Sequence, residues 1–152
     1  MSKFKEYFDK IKMLVENGGD VNSVMCGNTL AGNLVQLYYL DKFGKGESAV
    51  KTDLKERKDG IFEMLEWLCG KGADLDKGES PPLMFAVEEF DAPMTKYLLS
   101  HGANVCTKIN NYTGNNWCME HIADALVNSD EFSKNEIYEV VRLLKYYKGI
   151  NA

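Results

Sequence analysis

The sequence predicts an all-α fold, a solenoid of about three to four stacked helix-turn-helix units. Three observations lead there. A short phrase recurs as Gly18-Gly19-Asp20-Val21-Asn22, Gly72-Ala73-Asp74-Leu75-Asp76 and Gly102-Ala103-Asn104-Val105-Cys106, with a worn fourth copy at Gly149-Ile150-Asn151-Ala152. Each copy follows a stretch with apolar residues three and four apart, the spacing of one helical face. The first three copies lead through a short turn toward a second helix. Self-similarity of this kind marks an array in which each unit buries its apolar stripe against its neighbours.

The first helix, about residues 2–17, carries Phe4, Phe8, Ile11, Leu14 and Val15 and caps one end of the array. Gly18 then stops it, because a helix that reverses commonly needs a residue at positive φ, where glycine carries no Cβ penalty. Cys26-Gly27-Asn28-Thr29-Leu30 opens the next unit. Residues 41–59 break the period, with six basic side chains against five acidic ones and Gly44 and Gly46 near the start. This insertion reads as a solvated loop with a helical tail running into Ile61. A partner-specific binding loop is the functional alternative, and the near balance of charge argues against a nucleic-acid arm.

Ile61, Met64, Leu65 and Leu68 form the stripe before the second phrase. After it, Gly78-Glu79-Ser80-Pro81-Pro82-Leu83 is a turn entering a helix, since proline is tolerated in a first helical turn. Asp91 is placed to cap a further helix beginning near Ala92-Pro93, whose stripe is Met94, Tyr97, Leu98 and Leu99. Residues 106–116, rich in Asn, Thr and Gly, read as a projecting loop. Ile137, Val140, Val141 and Leu144 place a capping helix at about 134–148. The units add up to a single domain over residues 1–152.

The segment Asp76 to Cys106 resembles an ankyrin repeat. Pro82-Leu83 stands at the family's Pro-Leu, Ala86 at its first helix alanine, Lys96-Tyr97-Leu98-Leu99 at its Lys-Leu-Leu-Leu, and Gly102-Ala103-Asn104-Val105 at its closing phrase. Asn111-Tyr112-Thr113-Gly114 resembles the turn of a following repeat. There Trp117-Cys118 replaces Pro-Leu, and Met84 and Met119 occupy the place of the family's histidine. The resemblance implies a protein that binds a protein partner through the open surface of its first helices and turns, without catalysis or a cofactor. Carried over by position, it implies contact residues at Lys77 and Glu79 on one turn, Glu88 and Glu89 on the following helix, and Tyr112, Thr113 and Asn115 on the next turn. The acidic pair suits a partner with a basic patch. A toxin-neutralising or inhibitory protein of the same fold is the alternative.

Composition fits that reading. The chain has 152 residues, 45% hydrophobic and 27% charged, close to a soluble globular average. Its net charge of −5 disfavours nucleic acid. The absence of an apolar run of membrane length and of a signal-peptide pattern points to a cytoplasmic monomer with no membrane partner. Signal-independent export stays open. The four cysteines, Cys26, Cys69, Cys106 and Cys118, form no CxxC pair and read as free thiols.

Three sets of residues invite a catalytic or metal reading. Cys118 and His121 lie three apart, a spacing open to a metal or a nucleophile–base pair. No second metal-spaced pair completes a site, and Cys118 falls on a stripe with Ile122, Ala125 and Leu126, so core packing outweighs both. His101, just before Gly102, suits the last carbonyls of its helix. Glu88 and Glu89 do not converge for acid–base work, because neighbours on a helix point about 100° apart. Among the aromatics, Tyr112, Tyr146 and Tyr147 are the least committed to the core, and an exposed tyrosine suits an interface.

Overall fold

A computed structural model describes residues 3–25, 27–39, 51–78, 81–104 and 132–151. Among them are six helices and no strand. The chain divides into two compact units, 1–74 and 75–152.

In the first unit, α1 (Lys3–Glu16) and α2 (Leu30–Tyr38) both pack on α3 (Lys51–Gly70). The helical tail of the insertion is therefore the first half of α3. The core is Phe8 and Ile11 from α1, Ala31, Leu34 and Val35 from α2, and Ile61, Met64, Leu65 and Leu68 from α3. Thr29 caps α2, its side chain accepting the Gly32 N–H at 3.2 Å. The Trp67 ring receives two ammonium groups, Lys12 at 6.0 Å and Lys71 at 5.4 Å, which ties α1 and the end of α3 to one aromatic face.

The apolar stripe of α1 is narrower than its spacing suggests. Leu14 is 68% exposed. It lies about 120° around the helix from Phe8, past the edge of the face that meets α3.

In the second unit, α4 (Pro82–Glu88) and α5 (Ala92–Ser100) form a hairpin, and α6 (Lys134–Asn151) packs on α5. The core is Leu83, Met84, Ala86 and Val87 from α4, Met94, Leu98 and Leu99 from α5, and Ile137, Val140 and Leu144 from α6. Asp91 caps α5, accepting the Met94 N–H at 3.1 Å. Ser133 and Glu136 form a reciprocal capping box at the start of α6: the Ser133 hydroxyl accepts the Glu136 N–H at 3.2 Å and donates to its carboxylate at 3.1 Å. The worn fourth phrase is helical, not a turn, over Gly149 to Asn151, where α6 runs on. Glycine permits a left-handed residue but does not impose one.

The hairpin between α4 and α5 turns on Phe90, whose φ is 47°. The Asp91 N–H reaches back to the Ala86 carbonyl at 3.0 Å. A left-handed non-glycine residue costs about 1–2 kcal/mol. Burial of the Phe90 ring, edge-on to Phe132 at 5.0 Å, offsets that cost.

Candidate protein-binding surface

The recurring phrases build equivalent corners. Gly18, Gly72 and Gly102 have φ of 98°, 91° and 100°. At each, the next N–H reaches back to a carbonyl in the last helical turn: Gly19 to Leu14 at 2.9 Å, Ala73 to Leu68 at 3.0 Å, Ala103 to Leu98 at 3.0 Å. This is the six-to-one closure of a helix C-terminus that reverses its chain. The first corner differs in one respect. A Cβ on Gly19 would lie 2.6 Å from the Leu14 carbonyl oxygen, so the alanine of the other two corners does not fit there.

The fifth residue of one phrase then clasps the third residue of the next. The Asn22 side-chain oxygen accepts the Asp74 N–H at 2.6 Å, and its amide donates to the Gly72 carbonyl at 3.1 Å. Asp76 does the same one step on, accepting the Asn104 N–H at 2.8 Å. These clasps fix the register of the turns that follow Asn22 and Asp76.

Lys77 stands exposed on the second of these turns, next to Gly78 at φ 108°. Counted from the clasping residue, its counterpart on the first turn is Ser23, followed by Val24 and Met25, two exposed apolar side chains. The sequence reading passed over Val24 and Met25; matching the phrases residue by residue is the signal that finds them. A single bridge between Met25 and Asn28, across Gly27 at φ 85°, shapes that turn.

Glu88 ends α4 and Glu89 caps it, and both are half-buried rather than fully solvated. Burial, then the neighbouring charge of Glu89, pushes the Glu88 carboxyl above the usual carboxylate range. Glu79, Tyr112, Thr113 and Asn115 lie outside the described residues, as do Cys26, Cys106, Cys118 and His121. Lys77, Glu88 and Glu89 are thus the sequence-derived contact residues whose positions are described.

Other chemistry is bland. His101 closes the end of α5 as expected, its Nδ1–H donating to the Tyr97 carbonyl at 2.7 Å and its ring stacked on Tyr97 at 4.0 Å. Cys69 is a free thiol, held above its ordinary range by burial and then by Glu66, which keeps it from the reactive thiolate form. Among the described residues, no group of three acidic, histidine or cysteine side chains is placed to hold a metal ion. No helix among them is long and apolar enough to cross a membrane.

Residues 79–111 match the family model of the ankyrin repeat. Comparisons with curated proteins and with solved structures return no match. The matched span runs through α4, the Phe90 hairpin, α5 and the Gly102 corner. Together with six helices and no strand among the described residues, it supports an all-α helical-repeat fold.

Proposed function

We propose that this chain is a protein-interaction module that presents its inter-repeat turns, and the helix ends beside them, to a partner protein. The observation that carries the reading is the pair of clasps from Asn22 to Asp74 and from Asp76 to Asn104. A turn held in register by the next repeat loses little conformational entropy when a partner seats on it, which favours affinity. Ankyrin repeats in general serve protein binding, and the family is typically non-enzymatic.

The contact set comprises Lys77, Glu79, Glu88, Glu89, Tyr112, Thr113 and Asn115; Val24 and Met25 are the exposed apolar pair on the turn of the other unit. The half-buried Glu88 and Glu89 suit a partner that brings a basic patch, because desolvated charge rewards a complementary one. In this reading the chain acts as a monomer in the cytoplasm and needs no cofactor. The test is capture of the partner from the native cell, read by mass spectrometry. Substituting Glu88→Lys, Glu89→Lys and Tyr112→Ala together is expected to reduce capture about tenfold or more. Undiminished capture by a variant with unchanged helix content removes this surface from the account.

A further inference from the structure

Helices α5 and α6 enclose an open groove of about 500 Å³, separate in its residues from the turns above. Ala92, Pro93 and Lys96 of α5 form one side. Glu139, Arg142, Leu143 and Tyr146 of α6 form the other. Their spacing places these four on the side of α6 away from Ile137, Val140 and Leu144, its buried stripe. So the groove side of α6, where Leu143 and Tyr146 stand beside Glu139 and Arg142, is not the side used by the core.

Three features say what the second side fits. Part of the lining is apolar, Ala92, Pro93 and Leu143. Lys96 and Arg142 line the same groove, and neither is ion-paired to another described residue. Glu139 leaves the groove with one net positive charge, on a chain whose net charge is −5. Finally, Tyr138 and Tyr146 flank Arg142 one turn to either side, 49% and 64% exposed. Exposed tyrosines around an arginine are the residue types that carry interface energy.

We propose that this groove docks a short acidic segment of a protein, an apolar side chain against Pro93 and Leu143 and carboxylates on Lys96 and Arg142. Arginine suits that role because its planar fork meets a carboxylate with two parallel hydrogen bonds. A basic segment would meet two cations for every carboxylate. Tyr146, edge-on to Tyr147 at 5.2 Å, forms the outer wall.

The probe is a random-peptide library displayed on phage and selected on the full chain. The selected peptides are expected to combine Asp or Glu with Leu, Phe or Trp. A labelled selected peptide is then measured by fluorescence anisotropy. Lys96→Glu with Arg142→Glu is expected to weaken it about tenfold or more, and Tyr146→Ala by a similar factor. All three side chains are exposed, so helix content by circular dichroism is expected to hold. Affinity should also fall as salt rises. Glu88→Lys with Glu89→Lys should leave peptide affinity unchanged, which separates this groove from the surface proposed above. Selection that returns basic peptides or none, or peptides indifferent to Lys96, Arg142 and Tyr146, overturns the proposal.

Discussion

The two clasps do the same work with different means. Asn22 reaches a residue 52 positions on and uses its amide both to accept and to donate. Asp76 reaches only 28 positions on, and its carboxylate accepts the Asn104 N–H. The longer span closes a larger loop at an extra cost of about 0.6 kcal/mol, since each doubling of loop length adds that much. The second hydrogen bond of Asn22, at about 1 kcal/mol, more than covers it. The first clasp therefore spans the insertion between α2 and α3 at little net cost.

The comparison can be broken most sharply in the helices that feed the corners. Leu14, Leu68 and Leu98 occupy the same place, each lending its carbonyl to a corner. Leu68→Ala and Leu98→Ala are each expected to cost about 3 kcal/mol in urea unfolding, because both side chains are fully buried. Leu14→Ala should cost less than about 0.5 kcal/mol. Equal losses at all three would mean that α1 is packed like the inner helices.

The clasps come next. Asn22→Ala and Asp76→Ala are each expected to lose about 2 kcal/mol, the first for two neutral hydrogen bonds and the second for a bond to a charged carboxylate. Asp76→Asn should be neutral or slightly stabilising, since an amide there can also donate to the Gly102 carbonyl. A loss below about 0.5 kcal/mol at either would mean that the clasp does not hold its turn.

A smaller effect lies inside α5. The Thr95 hydroxyl is fully buried and makes no hydrogen bond with a described residue. Thr95→Val keeps the shape, removes the unpaired group and is expected to raise stability by about 1 kcal/mol.

The smallest concerns Glu88. Folding raises its carboxyl through burial and then Glu89. Its contribution is therefore complete below the ordinary carboxylate range and lost as pH climbs through the raised value, above which ionisation is a net cost. Glu88→Gln should be more stable than the parent at pH 7, the gap closing as the solution is acidified below the carboxylate range. A gap that persists in acid would assign the effect to packing.

Much of the corner geometry was legible in the chain. Glycine marks a helix reversal wherever a left-handed residue is required, so Gly18, Gly72 and Gly102 announced themselves, as did the Asp91 cap. Long-range partners were not legible. Asn22 and Asp76 stand in the recurring phrase, but nothing local says that their side chains reach 52 and 28 positions along. Phe90 was equally opaque: only the buried ring explains why a bulky residue holds φ at 47°. Of the candidate surface, the sequence marked Lys77, Glu88 and Glu89 by position, yet missed Val24 and Met25. An apolar residue in a turn reads as core until its exposure is known.

Helix α6 carries its anchoring residues along one side and Tyr138, Arg142 and Tyr146 along others. Substitutions on the outer side can accumulate without loosening the fold. Recognition there is free to drift from one acidic sequence to another while Ile137, Val140 and Leu144 stay put.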